Sequence, residues 1–145
     1  MQIFIIGSPL ATAIALDSRR LNKQIIECRQ ILEAIHGRSQ AWANHPCTRM
    51  YKAYPGWVYS YERSLEHYRR GNPTLAKAWS DEANKSRPPF HTESYFNQMK
   101  RRLYTKDNEL YKQWSHLGVS DVNWYYVNGE WLYYRNGKRI ASSEG

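Results

Sequence analysis

The stretch that decides the fold is Leu16–His36, which reads LDSRRLNKQIIECRQILEAIH. Its apolar residues follow the three- and four-residue spacing of a helix, and they are Leu21, Ile25, Cys28, Leu32 and Ile35. Asp17 or Ser18 can serve as the N-cap, and Gly37 is a typical helix stop. The stretch therefore predicts a long helix near residues 18–36 that packs against the core.

A second stripe on the same helix is polar. Arg20, Gln24 and Glu27 are spaced i, i+4 and i+7, so we expect them to lie away from the apolar stripe. Cations surround them at Arg19 and Lys23. A single carboxylate in such a setting can act as an acid, a base or a stabiliser of positive charge. The pattern also fits an ordinary solvated face, on which Glu27 pairs with Lys23.

The remaining sequence predicts a mainly α, compact single-domain fold over residues 1–145 with a small C-terminal β-hairpin. Ser8-Pro9 is a typical helix start, and further helices are expected at residues 57–70, 73–85 and 92–104. Asn128-Gly129 separates two aromatic runs, which is a strong hairpin signal. Asn136-Gly137 can form a second turn.

Charge and aromatic content point to an anionic partner. The chain has 21 Lys and Arg residues against 13 Asp and Glu, a formal net charge of +8, together with 12 Tyr and 6 Trp. Such a balance favours DNA or a small nucleotide. The aromatic residues can stack on bases, although core packing is their commoner use.

Several functional classes receive no support from the sequence. Two cysteines, Cys28 and Cys47, do not make a disulfide framework, and no CxxC or HExxH motif suggests a metal. No metal and no cofactor are therefore expected. The apolar run at residues 2–6 is too short for a signal peptide or a membrane span. We expect a cytoplasmic protein, in the host cytoplasm if a phage encodes it, with no membrane partner and an undefined oligomeric state.

Three motifs in order resemble the pyrimidine-dimer DNA glycosylase family of phages and bacteria. They are Leu16-Asp-x-Arg-Arg-Leu-x-Lys-Gln-x-x-Glu27-x-x-Gln-Ile-Leu32, Trp42-x-Asn-His45-Pro46 and Phe90-His91-x-Glu-Ser94. An aromatic C-terminal segment follows, as it does in family members. The resemblance implies a compact helical fold and an N-glycosidase that cleaves the base–sugar bond of a damaged or modified nucleotide in DNA.

The resemblance also implies a mechanism. In the family, a free N-terminal amine attacks C1′ of a flipped or kinked nucleotide to form an imine, and a glutamate on the first long helix assists. Here these groups correspond to Met1 and Glu27, since the bulk of Gln2 disfavours removal of Met1. β-Elimination by the same imine would add AP-lyase activity. Direct attack by water, with Glu27 as base or cation stabiliser, stays open.

The residues expected to hold phosphate or base lie around these two. They are Gln2, Arg19, Arg20, Lys23, Gln24, His45 and His91. Each has a structural alternative: His45 can cap a turn or pack under Trp42, and the arginines can be solvated charges.

Two other functions fit the same residues. One is a phage enzyme or sponge that cleaves or sequesters a nucleotide immune messenger such as a cyclic dinucleotide. The other is a non-catalytic nucleic-acid binder, on which Glu27 would face solvent.

Overall fold

The computed structural model describes residues 1–143 and has two compact units, Met1–Pro89 and a second that begins at Phe90. The first unit is helical, and the second combines a helix with a small sheet. The prediction of a mainly α fold with a small C-terminal β-structure is confirmed. The grouping of residues 1–145 into a single domain stays a prediction, and residues 144 and 145 lie outside the described part.

The first unit contains five helices, and the side chain of the preceding residue caps every one except the fourth. The helices are α1 (Pro9–Ala15), α2 (Ser18–Ile35), α3 (Pro46–Tyr51), α4 (Pro55–Arg69) and α5 (Pro73–Lys85). Ser8 and Asp17 cap α1 and α2, because their side chains accept the N–H groups of Ala11 at 3.1 Å and Arg20 at 3.3 Å. The predicted starts of both helices are therefore confirmed.

The core of the first unit lies between α2, α4 and α5. Leu21, Ile25 and Cys28 are buried, as the apolar stripe predicts. The last turn of α2 departs from the prediction, because Ile31 is fully buried whereas Leu32 and Ile35 are only half-buried. The predicted stripe was wrong by one position there, and Leu32 instead borders a groove that is open to solvent.

The second unit contains α6 (Glu93–Lys106), a 3₁₀ helix (Lys112–Leu117) and three strands, β1 (Asn123–Val127), β2 (Glu130–Arg135) and β3 (Lys138–Ile140). The strands form an antiparallel sheet in the order β1-β2-β3. Both Asn-Gly pairs adopt positive φ, with 53° and 81° at Asn128 and Gly129, as a two-residue hairpin turn requires. The second turn adds β3, so the predicted hairpin is part of a three-stranded sheet.

Candidate active site

Side chains from three helices hold the first six residues in place, and the first of them is Thr12 of α1, whose hydroxyl oxygen accepts the N–H of Ile6 at 3.1 Å. Gln24 of α2 donates its side-chain N–H to the carbonyl of Gln2 at 2.9 Å, and its side-chain oxygen accepts the N–H of Phe4. Tyr61 of α4 donates its hydroxyl to the carbonyl of Phe4. Because the segment joins no sheet, these bonds supply the partners that its buried backbone needs. They fix the position from which the Met1 amine projects.

Gln24 does not occupy the place that the helical spacing predicts. The interpretation of Gln24 as part of an exposed polar stripe was wrong, since the residue is only 2% exposed. Its amide is satisfied inside the protein by the N-terminal backbone and by Tyr61, whose hydroxyl lies 3.1 Å from Oε1. Gln24 therefore positions the N-terminal segment and sits beneath the candidate site.

Two charges act on the pKa of the buried Cys47 thiol, that of the N-terminal amine and that of Glu27. Burial raises the pKa of the Cys47 thiol to about 12, and the negative charge of Glu27 acts in the same direction. The positive charge of the Met1 amine and a hydrogen bond with the Ile3 backbone lower that pKa. Charges act appreciably only over short distances in a solvated protein. Both candidate catalytic groups therefore lie near one buried thiol, which stays protonated at neutral pH and is not itself a nucleophile.

The charge of the N-terminal amine also affects the pKa of a second side chain, that of His45. Burial, followed by the positive charge of that amine, lowers the pKa of His45 from 6.5 to about 4. Its Nδ1 accepts the N–H of Cys47 at 3.0 Å and thereby caps α3. His45 is thus a neutral imidazole at neutral pH, and Trp42 contacts it edge-on with ring centroids 5.6 Å apart.

Three buried polar atoms of the first unit lack a hydrogen-bond partner. Within residues 1–143, Gln2 Nε2, Glu27 Oε2 and Thr48 Oγ1 are buried and make no hydrogen bond. Each unpaired buried polar atom costs about 1–3 kcal/mol, so a protein retains such atoms where they have a use. Unpaired buried polar atoms of this kind are candidates for pairing with a substrate.

The three cations predicted to bind phosphate, Arg19, Arg20 and Lys23, lie on α2. Arg20 donates to Asp17 Oδ1 at 3.1 Å, while Arg19 and Lys23 are exposed on α2. Among the ion pairs of the described chain, none joins Lys23 to Glu27. The alternative interpretation of Glu27 as the partner of Lys23 is therefore wrong.

His91 belongs to the second unit and is described within it. The residue is buried, and its ring stacks on that of Tyr95 at a centroid distance of 5.8 Å. Thr92, which follows it, caps α6 by accepting the N–H of Tyr95. A role for His91 at the candidate site stays a prediction.

The sequence interpretation missed Cys47 and Thr48. Both follow the His-Pro pair, which the structure places at the start of α3. Since His45 caps that helix, the next residues of its first turn lie beside the cap. The His-Pro turn was the available signal, but a small thiol and a hydroxyl carry no periodicity of their own.

Residues 1–143 offer neither a cluster of metal-ligating side chains nor a helix that could span a membrane. No group of His, Cys, Asp or Glu side chains there is arranged to hold a metal ion. None of the described helices is long and apolar enough to cross a membrane.

The surroundings of His45 give a pH-dependent prediction. Because its folded-state pKa of about 4 lies below the ordinary 6.5, the unfolded chain binds the proton more readily. The stability that this difference contributes is complete above pH 6.5 and declines as the pH falls towards 4. NMR titration should find the midpoint of His45 well below 6.5.

Acetylation of the N-terminus tests the second cause of that shift. Removing the charge of the amine should raise the His45 midpoint, because a nearby positive charge no longer opposes protonation. A midpoint that stays the same on acetylation would show that the amine does not lie beside His45.

Comparison with known proteins agrees with the sequence motifs. The profile that describes pyrimidine dimer DNA glycosylases matches residues 1–81, which is more than half of the 145-residue chain. No curated protein and no solved structure gives a significant match.

The matched residues include α1 to α4 and most of α5, with Met1, Glu27 and His45 among them. A match over this length implies a DNA N-glycosylase, an enzyme class that acts on the base–sugar bond and has DNA as its partner. The chain belongs to the pyrimidine dimer DNA glycosylase family, and the resemblance noted from the motifs is confirmed.

Proposed function

We propose that the protein releases a damaged pyrimidine base from DNA, with the α-amine of Met1 as the nucleophile and Glu27 as the assisting carboxylate. The nitrogen lone pair attacks C1′, and the bond from C1′ to the base breaks with its electron pair moving to the base, which takes up the proton that the attacking amine loses. Opening of the C1′–O4′ bond, with O4′ taking a proton from solvent, then gives a protonated imine that joins Met1 to the sugar. Nucleophilic catalysis of this kind divides one difficult step into two easier ones.

Glu27 has an electrostatic role in this proposal. Breaking a glycosidic bond builds positive charge at C1′, and a nearby carboxylate stabilises it. The Oε2 atom of Glu27 is buried and makes no hydrogen bond within residues 1–143, so its charge is not already neutralised by a protein donor. This arrangement supports a carboxylate that acts on the substrate.

AP-lyase activity is part of the same proposal. Once the imine has formed, loss of a proton from C2′ allows β-elimination of the 3′ phosphate and nicks the strand. Gln2 and Thr48, with unpaired polar atoms, would pair with the nucleotide. Gln24 would act indirectly, by holding the N-terminal segment.

The single observation that carries the proposal is the buried Oε2 atom of Glu27, which has no hydrogen-bond partner within residues 1–143. The charges of Glu27 and of the Met1 amine both act on the pKa of the Cys47 thiol, which supports placing the two groups in the same site. A nucleophile and a carboxylate that act on one sugar carbon must lie close to each other.

The proposal is tested by incubating the protein with ultraviolet-irradiated DNA and, in parallel, with unirradiated DNA and a panel of cyclic dinucleotides. We expect strand nicking, and base release once any pyrimidine dimer has been photoreversed, only with irradiated DNA, detected by gel electrophoresis and mass spectrometry. Turnover or tight binding of a cyclic dinucleotide without action on DNA would contradict the proposal and favour a messenger-directed protein. Binding to DNA without base release would favour a non-catalytic binder.

A further inference from the structure

A groove with a cavity volume of about 710 Å³ runs along α2 and α4 in the first unit. Its walls include Arg29 and Glu33 from α2, and Tyr59, Glu62 and Arg63 from α4. A neighbouring hollow of about 310 Å³ shares two of these residues and extends to Ile26 and Trp42. Since Trp42 contacts His45, the two together form a path that begins beside the candidate active site.

Two buried carboxylates pair with the arginines in and beside this groove. Glu62 and Glu66 lie one turn apart on α4 and are 3% and 1% exposed. Arg29 donates to Glu62 at 2.9 Å, and Arg63 donates to the same carboxylate at 2.7 Å. Arg29 also lies 3.7 Å from Glu66. The guanidinium groups are thus held in fixed positions on the protein surface.

Glu66 is paired in the same way. It accepts hydrogen bonds from Arg69 at 2.6 Å and Arg70 at 2.8 Å, and these bonds outweigh burial and lower its pKa to about 2. The carboxylate is therefore ionised at any working pH. Arg69 and Arg70 lie outside the groove, whose own lining has three arginines (Arg29, Arg38 and Arg63) against two glutamates (Glu33 and Glu62), a net charge of +1.

Arg29 is the member of the cluster best placed to contact a ligand. A guanidinium has five N–H donors, and in the described chain Arg29 uses one of them in a hydrogen bond, from Nε to Glu62. Its side chain is 49% exposed. A guanidinium that is held on one edge and open on the other loses little entropy when it pairs with a phosphate.

We infer that this groove binds the sugar–phosphate backbone of DNA beside the reacting nucleotide, with Arg29 and Arg63 contacting phosphates. The inference rests on the proposed function for its choice of DNA. The excess of positive charge favours a polyanion, and guanidinium groups fit phosphate oxygens in a bidentate manner. Tyr59, which is half-exposed in the groove wall, offers a ring for contact with sugar or base.

The test measures how salt affects the binding of a lesion-free DNA duplex, by fluorescence anisotropy at about 50–200 mM salt. Each phosphate contact contributes about −0.9 to the slope of log K against log salt. Arg29→Ala and Arg63→Ala should each bring the slope closer to zero by about that amount. Each variant leaves Glu62 with one remaining arginine, and urea unfolding checks that the fold survives.

Arg135→Ala is the matched control. Arg135 also donates through Nε to a carboxylate, Asp121, at 2.9 Å, but it lies on β2 of the second unit and outside the groove. Its loss removes the same charge and should leave the slope unchanged. Slopes equal to that of the wild type in both groove variants would overturn the inference. Polyglutamate that displaces DNA equally well from the wild type and from both variants would also overturn it.

The outcome is separable from that of the catalytic proposal. Reduced slopes in a protein that releases no base would support the groove and overturn the proposed chemistry. Base release from irradiated DNA with unchanged slopes would do the opposite.

Discussion

Glu27→Gln is expected to lower the rate of base release from irradiated DNA by about 10²–10³-fold, with DNA binding unchanged or tighter. Glutamine keeps the size and shape of the side chain but carries no charge to stabilise a cationic C1′. Removal of a single electrostatic contact to a transition state typically costs about 10²–10³ in rate. Binding tightens if the buried carboxylate repels the phosphates of bound DNA. Single-turnover kinetics and anisotropy measure the two effects separately.

Glu33→Gln provides the control for that variant. Glu33 lies on the same helix, but it is exposed and accepts two hydrogen bonds from Arg38, at 3.1 and 3.0 Å. Its conversion to glutamine should leave the chemical step close to that of the wild type. Undiminished base release by Glu27→Gln would remove Glu27 from the chemistry.

Borohydride should trap the protein covalently on irradiated DNA, with the adduct on the peptide that contains Met1. Reduction converts the imine to a stable amine, so a proposed intermediate becomes a product that mass spectrometry can locate. Acetylation of the N-terminus removes the nucleophilic lone pair and should abolish both trapping and base release. An extension that covers the amine should do the same.

A C-terminal extension of equal length is the matched control, because it leaves the amine free. Its activity should match that of the untagged protein. Base release that survives acetylation would contradict the role of Met1 and favour direct attack by water. An adduct on a lysine would contradict it in a different way, by moving the imine to a side chain.

The parts of the fold that were predictable have strong local signals. The caps of α1 and α2 follow from Ser8-Pro9 and Asp17, and both Asn-Gly pairs form the turns that their tolerance of positive φ favours. The 3₁₀ helix was not predicted, because six residues with a kink at Trp114 show no helical period. Local chemistry thus determines where elements begin and turn.

The candidate site was less predictable, because long-range contacts build it. The spacing of α2 identifies Glu27 but gives the wrong surroundings for Gln24, whose partners are the backbone of Gln2 and Phe4 and the hydroxyl of Tyr61. Helical periodicity cannot reveal that a polar residue will find buried partners elsewhere in the chain. Cys47 was missed for the same reason, since its importance lies in what surrounds it.

The attachment of the first six residues by side chains has a consequence for the order of folding. Their bonds to Gln24 and Tyr61 join residues 20 to 57 positions apart, and a segment without strand partners gains nothing from local cooperativity. Closing such loops costs entropy that is recovered only when both partners are in place. The bonds of Gln2 and Phe4 therefore form only once α2 and α4 have packed against each other, so we expect the N-terminal segment to dock late in folding.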